Sequence, residues 1–280
     1  MRYKLILISS LFFLFKCVKK EKVLKDNELK VVITKEFIKR LEERNVFNKE
    51  IVSRIRNEEI DSIAIYYSNK KKIDTIDLYY DNKLEQRVFY NNGQIKRKGF
   101  VYNKIYPLNE WSYYDSIGHK VMVKDFFLIN KLPHINQEWH FDMKGDVIYE
   151  GSFFELKFDD STININETFK AIVNLPVPFY KEEKSKIIVC LAKDTSADFS
   201  DDFSNQESVE KVCFKDFETT KVNRKWIEGV SYNHTSLIGR KYETKGIKFI
   251  KGIITEYLEG SKDSLNLIRK KYFKIPITVK

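Results

Sequence analysis

The amino-acid sequence predicts a mainly β protein, in which a repeat-built antiparallel sheet of hairpins precedes a β-sandwich. Aromatic residues make up 14% of the 280 residues, and Phe, Tyr and Trp favour strands over helices. From residue 61 onward, short alternating strands are separated by Asn, Asp and Gly, which are turn residues. The hydrophobic fraction of 42%, with only 10 Gly and 5 Pro, excludes wholesale disorder.

The first residues have the layout of a secretory signal. Arg2 and Lys4 precede an apolar run over residues 5–15 (LILISSLFFLF), and a charged stretch follows Cys17. The run has the length of the apolar region of a signal peptide and is too short to span a bilayer as a helix. We therefore expect a signal peptide over residues 1–16.

The end of this run resembles a bacterial lipoprotein signal, in which a Cys becomes the lipidated first residue of the mature chain. Leu14 stands three positions before Cys17, where such signals usually carry Leu, whereas Lys16 departs from the small residue that usually precedes the Cys. The resemblance implies acylation of Cys17 and a lipid-anchored protein of the cell envelope, at the periplasmic face or the outer membrane surface. Each buried acyl methylene contributes roughly 0.8 kcal/mol, so a multiply acylated Cys17 anchors the protein without a membrane-spanning helix.

The chain has a formal net charge of +10, but its Lys residues are scattered among Asp and Glu rather than clustered. We therefore predict no nucleic-acid partner. A group of Lys residues close to Cys17 has two interpretations. It either contacts anionic lipid headgroups, at roughly 1 kcal/mol per residue, or belongs to a solvated tether. These residues are Lys19, Lys20, Lys22 and Lys25.

Residues 17–60 are predicted to form a tether and one or two short helices. Thr34 is a suitable N-cap for a helix with Phe37, Ile38 and Leu41 on one side. A second amphipathic stretch covers residues 51–59. Neither helix carries residues that indicate chemistry.

A hairpin phrase recurs three times within the segment 61–156, at residues 90–95, 114–121 and 141–148. Each copy runs from an aromatic residue through Asn or Asp to a turn Gly and then a β-branched residue. Gly93, Gly118 and Gly145 supply the positive φ that such turns require. One hairpin cannot bury its apolar face alone, so we expect the copies to join in one sheet.

These phrases resemble the MORN-type repeats of bacterial envelope proteins, especially the variant that reads Tyr-Tyr-x-x-Gly. The resemblance implies an interaction or scaffold surface and does not imply catalysis. Two segments depart from the phrase. Residues 79–84 are interpreted as a degenerate copy that has lost its Gly, and residues 124–137 as a long insertion.

The segment 157–280 has strands at the spacing of a β-sandwich. Residues 169–175 alternate, 186–192 are apolar on both faces and predict a central strand, and 273–279 alternate again. Pro276 cannot donate to a ladder and predicts an edge strand. Further strands are predicted at 212–217, 225–232 and 246–257. The strand pattern resembles an immunoglobulin-like sandwich.

Cys190 and Cys213 both lie on predicted strands of this sandwich. In an oxidising envelope they can pair and close a loop, which contributes roughly 3 kcal/mol. Two buried free thiols are the other interpretation.

Motifs for cofactor or metal chemistry are absent from the sequence. It contains neither a phosphate loop nor a dinucleotide fingerprint, and its four His residues lie apart, so we predict no cofactor and no metal site. The Asp-rich stretch 194–202 lacks the spacing of a calcium loop and is interpreted as a solvated acidic loop.

We therefore expect a non-enzymatic binding or scaffold module of the envelope. Its expected partners are the membrane, through acylated Cys17, and an unidentified envelope protein or glycan. One alternative is a glycan-binding protein or a hydrolase of envelope polymers that uses carboxylates such as Asp142, Glu150 and Glu155. Because some MORN-type repeat proteins are labelled antitoxins, an immunity-like role is a narrower version of the first hypothesis.

Overall fold

The computed structural model describes residues 30–31, 53–54, 59–67, 73–180, 184–220, 231–259 and 268–280. The described chain is mainly β, as the aromatic and alternating composition predicts. It divides into two compact units, residues 1–104 and 105–280. Cys17, the tether and the predicted helix after Thr34 lie outside the described residues. Within the second predicted helix, Ser53 and Arg54 are helical.

The strands of the first unit follow one another in the sheet in their order along the chain, and each neighbouring pair is antiparallel. Ile63 lies opposite Leu78 and Ile65 lies opposite Ile76, so their aliphatic side chains form the buried face. The strands are β1 (Lys30–Val31), β2 (Ser62–Tyr67), β3 (Ile73–Tyr80), β4 (Lys83–Phe89) and β5 (Ile95–Tyr102).

A buried ion-pair cluster lies on β4. Glu85 Oε1 accepts a hydrogen bond from Arg87 Nε at 2.7 Å, and Glu85 Oε2 accepts one from Arg54 Nη1 at 2.9 Å. Burial raises the pKa of Glu85, but the two guanidinium groups outweigh it and hold this pKa below its usual value. The carboxylate is therefore a structural acceptor for two arginines.

The described residues of the second unit form strands of two sheets and one short α-helix. The elements are β6 (Tyr106–Tyr114), β7 (Lys120–Ile129), β8 (Leu132–Phe141), β9 (Val147–Lys157), β10 (Thr162–Ile163), β11 (Thr168–Val177), β12 (Ser185–Ala192), β13 (Lys211–Lys215), α1 (Phe217–Thr220), β14 (Thr235–Lys241), β15 (Gly246–Leu258) and β16 (Ile268–Val279). The first sheet has the strand order β6-β7-β8-β9-β11-β14, and the second has the order β10-β16-β15-β12-β13.

The two sheets bury a common apolar core at their C-terminal strands. The alternating residues of β11 point into it, and each of them is at most 2% exposed. Facing residues come from the second sheet, where Ile250 and Ile254 lie on β15 and Phe273, Ile275 and Ile277 lie on β16. The buried residues of β11 are Phe169, Ala171, Val173 and Leu175. The predicted alternation along 169–175 and 273–279 is therefore confirmed.

Several strand predictions for this segment agree with the structure, and others do not. β12 pairs with both β13 and β15 and is a central strand, as its apolar character predicts. At Pro276, β16 pairs with β15 alone among the described strands, because the parallel strand β10 reaches only Thr278 and Val279. The sequence did not predict β14. In the predicted strand 225–232, residues 225–230 lie outside the described residues and Tyr232 lies in a 3-10 turn.

The predicted boundary at residues 156 and 157 lies at the end of β9. This strand pairs with β8 on one side and with β11 on the other. The last hairpin strands and the sandwich therefore share one sheet.

The three predicted glycine turns have one hydrogen-bond pattern. In each, the first residue donates its amide to the carbonyl four positions on, and the Gly amide donates back to the first residue's carbonyl. Gly93, Gly118 and Gly145 have φ values of 87°, 97° and 88°. The first residues are Tyr90, Asp115 and Asp142.

Two-residue turns of a second kind alternate with the glycine turns. Both of their residues have positive φ, which favours Asn and Asp among the residues with a Cβ. The segment 79–84 is one of these turns rather than a degenerate copy of the phrase, and the insertion 124–137 contains another, between β7 and β8. The turn residues are Asp81–Asn82, Asn103–Lys104 and Asn130–Lys131.

A buried polar contact joins β8 to β16. The amide of Asn136 donates from Nδ2 to the Tyr272 carbonyl at 2.9 Å, and its Oδ1 accepts from the Tyr272 amide at 2.6 Å. Lys271 Nζ donates to the carbonyls of Asn136 and Ser152, at 2.8 and 2.9 Å. Asn136 is fully buried and also donates to Asp125. We call these residues the β8–β16 junction.

Stability should rise with pH because of Lys271. Burial lowers its pKa to about 8 against an ordinary value of 10.5, so between these pH values the unfolded chain binds more protons than the folded chain. The free energy of unfolding of the wild type, minus that of Lys271→Met, should increase over this window by on the order of 3 kcal/mol. Urea unfolding of both proteins from pH 7 to pH 10.5 measures this difference. A difference in free energy of unfolding that does not change with pH would contradict the lowered pKa of Lys271.

The structure joins Cys190 and Cys213 by a disulfide between β12 and β13, where they are register partners. The chain between these strands forms a loop over residues 193–210, which we call the Asp loop. Phe199 and Phe203 of the Asp loop pack against Ile253 and Tyr272. The disulfide therefore closes the base of a loop that covers part of the second sheet.

Removing the disulfide should destabilise the protein. For a ring of this length, Cys190→Ala/Cys213→Ala should lower the free energy of unfolding by roughly 3 kcal/mol, because the unfolded chain regains the entropy of the open loop. Urea unfolding with and without a reductant measures the effect. The reductant should destabilise the wild type and leave the double variant unchanged; equal sensitivity of both would count against the disulfide.

Candidate functional site

Three neighbouring strands of the second unit bring four ionisable side chains together. Lys124 on β7 is the register partner of Glu138 on β8, and His140 lies two residues further on the same face. Glu138 pairs with Lys124 Nζ at 2.8 Å and with His140 Nε2 at 2.7 Å. Glu150 Oε2 lies 3.7 Å from His140 Nδ1. We call these four residues the Glu138 cluster.

A β-bulge places Glu150 in this cluster. Trp139 pairs with Gly151 and His140 pairs with Ile148, so β9 has two extra residues between these pairs. Gly151 has a φ of 85°, and a Cβ at this position would overlap the carbonyl oxygen of Glu138. The bulge therefore requires a glycine. A Gly inside a strand is the sequence signal of such a bulge, and the repeat pattern of the sequence did not predict it.

The electrostatics of the cluster keep Glu138 ionised. Its partial burial raises its pKa, but the hydrogen bonds to His140 and Lys124 outweigh burial and hold this pKa below its usual value. A carboxylate that is paired with two nitrogen groups is a poor proton donor at neutral pH. The arrangement fits the recognition of a polar partner better than acid catalysis.

The three carboxylates that the hydrolase alternative names do not come together around shared partners. Asp142 caps its glycine turn, because its Oδ1 accepts hydrogen bonds from the amides of Lys144 and Asp146. Glu155 lies 3.5 Å from Lys157 on the surface. Of the three, Glu150 alone belongs to the Glu138 cluster.

Exposed apolar side chains lie close in sequence to the cluster, at the glycine-turn ends of β6 to β9. Tyr149 is 77% exposed and belongs to the same bulge as Glu150. Met143 lies in the turn before β9, and Ile117 lies in the turn between β6 and β7. We call Ile117, Met143, Val147 and Tyr149 the hairpin-tip residues. Exposed apolar side chains beside a polar cluster are typical of binding surfaces.

A buried series of hydrogen bonds in the sandwich joins the residue types of a catalytic triad, but it joins them in a different order. Glu256 accepts hydrogen bonds from Ser185 Oγ and from the amides of Phe179 and Tyr180. Ser185 Oγ lies 3.1 Å from His234 Nε2. In a catalytic triad the His lies between the Ser and the carboxylate, whereas here the Ser lies between the other two. Ser185 is also fully buried, so this chain is structural.

The predicted site residues have these positions in the structure. Gly93, Gly118 and Gly145 form the glycine turns, Cys190 is bonded to Cys213, and Cys17 is not among the described residues. The four His residues have separate environments. His119 lies 3.3 Å from Asp115, and His134 contacts the carbonyl of Lys270. Within the described ranges there is no group of three or more side chains able to hold a metal ion.

Comparisons with known proteins do not place the chain in a family. No family model matches the sequence, and no curated protein matches it. Among the described residues, no helix has both the length and the apolar character needed to cross a membrane.

The bulge gives a prediction with a matched control. Gly151→Ala should lower the free energy of unfolding by about 3 kcal/mol or more, because Ala is strained at this φ and its Cβ meets the Glu138 carbonyl. Gly145→Ala has nearly the same φ and open space around its Cβ, so it should cost about 1–2 kcal/mol. Urea unfolding of both variants measures the difference. Equal losses would show that the Glu138 contact is unimportant.

Proposed function

We propose that the protein is a non-enzymatic binding or scaffold module that a lipid on Cys17 holds at the cell envelope. The observation that carries this proposal is the repeated hairpin with its single pattern of glycine turns. Repetition of one hairpin builds an extended sheet, and most side chains of β6, β7 and β8 are only half-buried. Such a sheet offers a surface for a partner.

We infer that the hairpins of residues 61–156 are MORN-like repeats and that residues 157–280 form an immunoglobulin-like sandwich. The recurrent aromatic-to-glycine phrases support the first inference. The packed sheets of the C-terminal segment, with the central strand β12, support the second.

The pKa shifts of Glu138 and Asp125 favour binding over hydrolysis. Glycoside hydrolysis needs a carboxylic acid of raised pKa that faces a second, ionised carboxylate. Glu138 has a lowered pKa. Burial raises the pKa of Asp125, but this carboxylate accepts a hydrogen bond from Asn136 at the β8–β16 junction. The proposed partner is therefore an envelope protein or glycan that is bound without being cleaved.

The lipid anchor can be tested directly. The full chain and Cys17→Ala are expressed in a Gram-negative host, and the N-terminal peptide of each membrane fraction is analysed by mass spectrometry. We expect an acylated Cys17 in the wild type, because residues 5–15 and Leu14 have the layout of a lipoprotein signal. A soluble wild-type chain that starts at Met1 would contradict the proposed anchor.

The binding surface requires a second experiment. Membranes that carry the wild type, the double variant Met143→Asp/Tyr149→Asp or the variant Ile247→Asp are cross-linked and solubilised. The partner that co-purifies with each protein in fixed stoichiometry is then quantified. We expect at least a tenfold loss for the double variant, because it places charges among the hairpin-tip residues. Ile247 is exposed on β15 and is the matched control. Equal recovery from both variants, or no stoichiometric partner, would argue against the proposed surface.

A further inference from the structure

The disulfide between Cys190 and Cys213 lies on the outer face of the second sheet. Cys190 faces away from the first sheet, because it alternates along β12 with the core residues Val189 and Leu191. Cys213 is its register partner on β13, a strand that pairs with β12 alone among the described strands. Cys190 is 9% exposed, whereas Cys213 is an exposed residue. A thiol in solution therefore reaches the disulfide from the side of Cys213.

Two lysines flank Cys213 on the same face of its strand. Lys211 and Lys215 lie two positions before and after it, and successive residues of a strand alternate between its faces. Their register partners on β12 are Ala192 and Ile188, which carry no charge. Positive charges beside a disulfide attract an anionic thiol and stabilise the thiolate that leaves, and both effects accelerate exchange. This environment favours a thiol that carries carboxylates.

The same disulfide links the two ends of the Asp loop. Next to it, the Lys193 amide donates to the Glu210 carbonyl at 2.8 Å, and the side chains of these residues form an exposed ion pair. Exposed ion pairs contribute little to stability. Further along the loop, Phe199 and Phe203 pack against β15 and β16. Opening the disulfide removes the covalent link between the loop ends and leaves only non-covalent contacts to hold the loop on the sheet.

We propose that this disulfide is a site of thiol–disulfide exchange, at which a small anionic thiol forms a mixed disulfide with Cys213 and loosens the Asp loop. The thiolate of the incoming molecule attacks Sγ of Cys213 and forms a new S–S bond. The bond between the two cysteines breaks, its electron pair leaves on Sγ of Cys190, and this thiolate takes a proton from water. One disulfide replaces another, so the step needs no oxidant. The site is independent of the lipid anchor and the hairpin surface of the proposed function.

The first test identifies the sulfur that reacts. The full chain with Cys17→Ala, which lacks the third cysteine, is incubated with reduced glutathione, quenched with acid at early times, alkylated and digested with trypsin. Cys190 and Cys213 then lie in separate peptides, residues 187–193 and 212–215. We expect at least tenfold more glutathione on the second peptide than on the first. Equal amounts on both peptides would overturn the assignment of Cys213.

The second test measures whether the folded protein reacts and whether the lysines direct the reaction. The rate of disulfide loss should rise linearly with glutathione concentration, because an exposed bond reacts without unfolding. At low ionic strength, Lys211→Gln/Lys215→Gln should slow the reaction with glutathione severalfold and should not slow that with cysteamine, a cationic thiol. Lys170→Gln removes an exposed lysine of β11 and should keep the wild-type rates. A rate that levels off at the unfolding rate, or equal rates in the double variant and this control, would contradict the proposal.

Hydrogen exchange measures the effect on the Asp loop. Within the loop, the Phe203 amide donates to the Ser200 carbonyl, and the Gln206 amide donates to the Phe203 carbonyl. Treatment with glutathione should accelerate amide exchange in the Asp loop at least tenfold more than in β11, whose residues lie in the core between the sheets. Equal acceleration in both segments would show that the disulfide acts on global stability alone, and would overturn its control of the loop.

Discussion

The side chain of Asn136 is the contact on which the arrangement of the second unit depends. It makes hydrogen bonds with both backbone groups of Tyr272, in the way that a neighbouring strand would. Lys271, the next residue in β16, donates to the carbonyls of Asn136 and Ser152 and so also contacts β9. These bonds are buried, and their polar groups would be costly to leave unpaired. The hairpin strands β8 and β9 are thereby held on the sandwich in one register.

Two kinds of turn determine how the hairpins present their surface. Glycine turns and two-residue turns alternate, and within each unit the hairpin strands pair with their neighbours in sequence. The sandwich differs, because β11 pairs with β14 and β12 pairs with β15 across long stretches of chain. The hairpins are the local part of the fold, and their exposed tips and the Glu138 cluster follow from it. Within the second unit, the non-local strands of the sandwich bury an apolar core between the two sheets.

The described buried charges are paired to different degrees. Glu85 accepts hydrogen bonds from two arginines, and Glu256 accepts three hydrogen bonds. Their environments are complete and explain why these groups stabilise the fold. Arg240 is as buried as these carboxylates, but its terminal nitrogens have no hydrogen-bond acceptor within the part of the chain that the structure describes.

The sequence by itself determined the strand-rich class, the glycine turns, the central position of β12 and the alternation along β11 and β16. These features depend on residues within a few positions of one another, through the period of two in a strand and the positive φ of a turn. Only the tertiary structure decided which distant groups meet. Asn136 and Tyr272 are 136 positions apart, and Arg240 on β14 lies 4.0 Å from Asp198 of the Asp loop. The bulge at Gly151 shows the same limit, since a single Gly indicates a bulge but not that Glu150 will face His140. Local periodicity specifies which face a side chain takes, whereas its partner across the fold depends on sheet order and on packing between layers.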